Sequence, residues 1–256
     1  MSKKTNYSYV GIAFIILVFG IIFIPKIIDR ISGDDITRDE SRSIDVSVSD
    51  ENHVNEKSKK SDLVYIPNID GDKKKVPSFS FTNQLGQIIT NKDYLGKVYV
   101  VEFFFTTCPT ICPRMNQNLV EVQNEFKDFE NFGVASFTIT PEIDTPEILK
   151  AYADKYGITN PNWHLLTGDE DAIYKLANEG FYLYTAKNEE IVDGFEHSGN
   201  FALIDKEGFI RSRLKSPNNP LIYYNGIVSE KEGVDDEGIL QEISILKEDI
   251  AKLLKE

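Results

Sequence analysis

From Lys97 to Phe105 the chain reads KVYVVEFFF, a run of β-branched and aromatic residues broken by a single charge. Such a run predicts a central strand, buried on both faces. Beyond it, Met115, Leu119, Val122, Phe126 and Phe129 recur at steps of three and four, the spacing of a helix with one apolar face. VASFTIT, Val134 to Thr140, predicts the next strand. DTPEILKAYADKYG follows with Asp144 or Thr145 as helix cap, Pro146 in the first turn and Gly157 as the stop. NWHLLTG predicts a short strand, and DEDAIYKLANEG a third helix between Asp169 and Gly180. NFALIDKEGFIRSRL reads as two strands joined by a turn at Glu207–Gly208. A last helix gathers Ile239, Ile243, Leu246, Ile250 and Leu253 on one face. Strands alternating with helices require crossover connections, so the sheet is expected to be mostly parallel and to end antiparallel.

The pattern is different ahead of Leu63. Lys3 and Lys4 precede a stretch without charge from Tyr7 to Pro25, which Ile27 and Ile28 extend towards the roughly 20 residues needed to span a bilayer. Residues 1–30 are therefore expected to be an uncleaved membrane anchor, its lysines holding the N-terminus in the cytoplasm. No A-x-A-like cleavage site follows the apolar run. Residues 31–62 hold no aromatic side chain and are dense in Ser, Asp, Glu and Lys, a composition that cannot bury enough surface to order itself. As a flexible tether this stretch would span roughly 30 Å. Residues 63–256 are then the folded domain. The net charge of −13 offers no basic stripe to meet phosphates, which argues against nucleic-acid binding.

Both of the chain's cysteines, Cys108 and Cys112, fall in TTCPTICPRM, where the long strand hands over to its helix. A thioredoxin-like fold places its chemistry at this junction. Spacing i to i+4 on a helix would set both sulfurs on one face, at Cα atoms roughly 6 Å apart, close enough for a disulfide or for a shared soft cation. A helix N-terminus favours thiolate over thiol. As a structural staple the pair is weak, because so short a loop removes little entropy from the unfolded chain. A two-thiolate site recruits a third donor, and there are three histidines. His53 lies in the tether, and His164 sits between apolar neighbours as a core or edge residue. His197, in DGFEHSGNFALID, lies in a loop just before a strand that would face the cysteine helix. Two thiolates and one imidazole suit Cu(I), with zinc and an added water as the other option.

Together, TTCPTICPRM, DTP, LTG and EHSGNFALID resemble the Sco/SenC family of thioredoxin-like copper chaperones of cytochrome c oxidase assembly. The resemblance runs from about Pro77 to Leu214 and includes the N-terminal anchor. It implies an α/β thioredoxin-like domain with a central mixed sheet flanked by helices, preceded by a single transmembrane helix. It also implies copper, Cu(I) or Cu(II), held by Cys108, Cys112 and His197, and a redox disulfide between Cys108 and Cys112. The implied partner is the copper-site subunit of cytochrome c oxidase or another cuproprotein. The implied location is a bacterial cytoplasmic membrane, with the domain on the periplasmic, extracytoplasmic side. Two positions depart from the family pattern. Thr140 stands where D-P-x-x-D-T-P begins with Asp, and Glu196 where Asp is more usual before the histidine. The segment SPNNPLIYYNGIVSEKEGVDDEG matches nothing assignable and reads as an insertion or a partner surface.

A thiol–disulfide oxidoreductase would use the same fold and cysteine pair through exchange. Against it stand three residues between the cysteines instead of two, and Ser198-Gly199-Asn200 where such enzymes carry a proline. A peroxidase would need an arginine at the cysteine, and Arg114 is adjacent only in sequence; a metal-free redox sensor is a further alternative. Glu102, the lone charge in the long strand, either faces a polar edge or lies beneath the cysteines. In the second case burial would raise its pKa.

Overall fold

The computed structural model describes residues 63–187, 195–216 and 219–256. The anchor expected at 1–30, the tether at 31–62 and His53 lie outside the described residues. Among those described, no helix is long and apolar enough to cross a membrane.

The long strand forms as its composition requires. Val98–Phe104 (β4) is buried at every position, as a strand covered on both faces must be. It pairs in parallel with Phe132–Thr138 (β5) and antiparallel with Asn200–Ile204 (β9). Trp163–Thr167 (β6) continues the sheet in parallel beyond β5. Two short strands that the apolar pattern does not reveal, Ser80–Asn83 (β2) and Ile88–Thr90 (β3), form a hairpin, and β2 closes antiparallel on β6. On the other side Ile210–Ser212 (β10) joins β9, and Val64–Tyr65 (β1) joins β10. The order is β1-β10-β9-β4-β5-β6-β2-β3, with Tyr224–Asn225 (β13) pairing separately with β9. The sheet is mixed and not mostly parallel, because β2 and β9 both run against the β4–β5–β6 core. Thr185–Lys187 (β7) with Phe195–His197 (β8), and Leu214–Ser216 (β11) with Asn219–Pro220 (β12), make two small ribbons.

Helices cover both faces. Ile111–Glu125 (α1) packs against Pro146–Tyr156 (α2) and against Ile243–Lys255 (α4). Side chains alternate along β4. Phe104 meets Tyr152 of α2 with ring centroids 5.4 Å apart, while Phe103 meets Phe137 and Phe181 on the opposite face. Glu102, two residues before Phe104, therefore lies on the α1–α2 side.

Several element ends differ from expectation. Strand β5 starts and stops two residues early, and Ile139 and Thr140 belong to the loop that follows. Helix α1 ends at Glu125, leaving Phe129 outside it and 45% exposed. The third helix is α-helical only over Glu170–Lys175 (α3) and then widens into a π turn, Leu176–Phe181, closed by Tyr182 in the left-handed conformation. Ile239 precedes α4, whose buried face is built from Ile243, Leu246, Ile250 and Leu253. Helix α2 follows its signals fully: Thr145 caps it, Pro146 opens it and Gly157 ends it.

Candidate metal and redox site

Strand β4 runs out at Phe104, and a tight loop carries the chain through Thr106, Thr107 and Cys108 into α1. Only Cys112 is helical, because α1 begins at Ile111. The reason lies in the prolines: Pro109 disfavours helical backbone at Cys108, whereas Pro113 sits in the first turn, where its missing N–H costs nothing. The two sulfurs thus do not share a helix face. Instead the Cys108 sulfur lies over the helix start and accepts the Cys112 N–H at 3.5 Å. Thr110 at the cap position makes no side-chain cap of its own, so Cys108 takes over part of that duty. Its sulfur also lies 3.6 Å from Thr110 Oγ1.

Both cysteines are buried, Cys108 at 6% exposure and Cys112 fully. Burial pushes the Cys112 thiol far above the ordinary thiol range, and its hydrogen bond to Cys108 and the charges of Cys108 and Glu102 push the same way. Burial thus works against the pull towards thiolate that a helix N-terminus exerts. A ligand that replaces the proton would relieve this.

Glu102 is fully buried. Ser136 donates to its Oε1 at 2.6 Å, and Trp163 Nε1 donates in turn to Ser136 Oγ at 2.9 Å. Its other oxygen, Oε2, has no hydrogen-bond partner. Burial raises the carboxyl to about 7, the Ser136 bond working the other way. Of the two readings of Glu102, the buried one holds.

Sequence reasoning missed the carboxylate that holds the loop. Asp144 is fully buried and accepts from Thr106 N at 3.2 Å, from the Thr106 and Thr138 hydroxyls, and from Thr140 Oγ1 at 2.9 Å. It fastens the turn before Cys108 to the turn after β5. Thr140 thus supplies a hydroxyl donor where an Asp would set a second carboxylate against Asp144. The spacing Thr138-Thr140-Asp144 was the available signal.

His197 is the last residue of β8, backbone-paired with Thr185, and not in a loop as expected. Its side chain lies outside the described set. Two residues on, a Cβ at Gly199 would fall 3.7 Å from Cδ1 of Ile111, the residue just before Cys112. The chain just past His197 therefore reaches the helix start that carries the cysteines. His164 is placed as expected for a structural residue: its Nδ1 lies 3.2 Å from Asn83 Nδ2, and its ring stands edge-on to Tyr94. Among the described side chains no group of three or more His, Cys, Asp or Glu could hold a metal ion.

The SCO1/SenC family model matches residues 68–230, a span that holds both cysteines and His197. The chain belongs to the SCO1/SenC family. A SCO1 protein homolog of Bacillus subtilis (strain 168) is 32% identical over 158 residues, covering 60% of this chain and 80% of its own. The crystal structure of a SCO1/SenC family lipoprotein from Bacillus anthracis is 31% identical, with a TM-score of 0.58, over 70% of this chain and 95% of that one. BsSco, described as a Sco family cytochrome c oxidase assembly protein with a disulfide switch, is 26% identical with a TM-score of 0.56, over 71% and 94% of the two chains. These likenesses agree with the mixed sheet flanked by helices seen here.

Proposed function

We propose that this SCO1/SenC protein is a copper chaperone that carries Cu(I) as cargo on Cys108, Cys112 and His197. The cargo is destined for the copper site of cytochrome c oxidase or of another cuproprotein. Residues 1–30 anchor it in a bacterial cytoplasmic membrane, and 31–62 let the domain, 63–256, range over the extracytoplasmic surface. The observation that carries the reading is the helix start. One sulfur lies over the first turn, the other within it, and the chain beyond His197 abuts the residue between them. Soft thiolates with a single imidazole match Cu(I) better than the harder divalent ions. Binding would release the proton that burial holds on Cys112, and the low coordination would leave room for a recipient's ligands.

The same pair as a thiol–disulfide couple is a second reading, supported by the disulfide switch named for BsSco. The two readings part at His197. Parent, His197→Ala and Cys108→Ser proteins, loaded with Cu(I) under reducing conditions, are to be competed with a calibrated Cu(I) chelator. The chaperone reading expects His197→Ala to bind far more weakly while keeping residual two-thiolate binding, and Cys108→Ser to lose nearly all of it. Equal copper retention by parent and His197→Ala would sink the three-ligand site and leave thiol exchange as the better account.

A further inference from the structure

The stretch that the sequence left unassigned is bound into the cysteine region on two sides. Tyr224 and Asn225 pair with Phe201 and Asn200 of β9. The next amide, Gly226 N, donates to Gly199 O at 2.8 Å. From the other side, Asn118 of α1, only 2% exposed, donates its amide to Gly226 O at 2.9 Å and to Ile227 O at 3.4 Å. Asn225 Oδ1 fixes the bend by accepting from Ile227 N at 2.8 Å and Val228 N at 3.1 Å, and Val228 is fully buried.

Ile227 is the wedge. A Cβ at Gly199 would fall 2.2 Å from its Cδ1, so the isoleucine seats directly on the bare glycine backbone, with Ile111 alongside. Arg114, two residues after Cys112, donates through Nη2 to both carboxylate oxygens of Glu232, at 2.7 and 2.6 Å. Glu230 is tied to Lys247 and accepts from Ser244 Oγ of α4 at 2.7 Å. One segment therefore bonds to the chain leaving His197 and to the helix bearing Cys112, and is braced from behind by α4.

We propose that residues 224–232 form a bracket that sets the separation between the histidine-bearing strand and the cysteine helix, with Asn118 and Ile227 as its positioning residues. The proposal rests on the copper-site reading above and assigns a role to a segment outside the ligand set. Neither residue belongs to the proposed ligand set. Each acts through the backbone of residues 199 and 226–227. Groups bonded directly to metal ligands change affinity by about 10- to 100-fold when removed, and a support one contact further out is expected at the low end of that range.

The test is a mutant cycle on the full chain, reading Cu(I) retention against a chelator. Ile227→Ala should weaken Cu(I) about tenfold in the parent and have little further effect in a His197→Ala background, because the bracket matters only through the third ligand. Ile227→Leu should recover most of the loss. Asn118→Ala should behave like Ile227→Ala; if it fails to fold, as an unfolding curve will show, Ile227→Ala decides. A readout without metal accompanies these: amide exchange at Gly226 should accelerate in Ile227→Ala while that of the β4 amides holds. Equal Cu(I) retention by parent and Ile227→Ala overturns the bracket. So does an equal loss in both backgrounds, which would mark general softening of the domain. If His197→Ala alone changes nothing, the three-ligand site itself falls, and the bracket's role falls with it.

Discussion

Glu102 holds a carboxylate with one oxygen bonded to Ser136 and the other sealed in without a partner. Its ordinary pKa of 4.5 applies to the unfolded chain, and about 7 to the folded one. Between those values the folded protein keeps a proton that the unfolded chain has lost. Stability should therefore fall as pH rises through that window, by roughly 3 kcal/mol in all, and level off above it. Glu102→Gln should remove this component, so urea unfolding at pH 5 and pH 8 should give a smaller difference for the variant than for the parent. Equal differences would mean the carboxyl is solvated. At this scale the sequence was unevenly readable. The cysteine motif declared itself through its prolines, and a lone charge in an apolar strand pointed to Glu102. Asp144 looked like a helix cap, because nothing in local sequence says that Thr106, from another turn, will bond to it. The same holds for Asn118, whose partners lie in a segment with no pattern of its own.

Helix α2 was legible from end to end because its signals are local: a threonine cap, a proline in the first turn and a glycine stop. Gly157 has φ 73°, a conformation that costs other residues about 1 kcal/mol or more. Gly157→Ala should lower unfolding stability by about that amount and leave the chelator-measured Cu(I) affinity unchanged, since the helix end is remote from the cysteine loop. The β2–β3 hairpin shows the opposite case. SFTN and IIT are too short to stand out, and they become strands because β6 offers β2 a partner far along the chain. Strand β13 is only Tyr224–Asn225, and long-range pairing with β9 makes it too. For α3 a helix between Asp169 and Gly180 was legible, but sequence does not distinguish an α turn from the wider π turn that continues it.

Across the whole molecule, α4 is held against the sheet by charge as well as by its apolar face. Buried Asp249 takes both Arg213 Nε at 2.7 Å and Nη2 at 2.6 Å, and the Tyr224 hydroxyl donates to it at 2.9 Å. Asp249→Ala would take the buried anion from Arg213, leaving it Glu248 and the Ile245 carbonyl, and would remove the acceptor that the Tyr224 hydroxyl uses here. It should cost about 3 kcal/mol, read as a lower denaturation midpoint. Because Tyr224 begins the bracket, copper retention should fall as well. A variant as stable as the parent would show that the apolar face alone holds α4.

The sheet order also sets a timetable. Strand β4 is flanked by β5, made soon after it, and by β9, made far later, with Tyr99 waiting for Ile204. Until residue 204 is free to pair, one edge of the central strand stays open, and long-range pairings of this kind are slow to form. His197 stands just ahead of β9, so the event that seals the edge also delivers the histidine's strand to the cysteines. A chain halted before that point would leave both cysteines beside an unpaired apolar strand. For this protein metal competence cannot come before β9 pairs with β4, and it then awaits residues 224–255, which follow β9 in the chain.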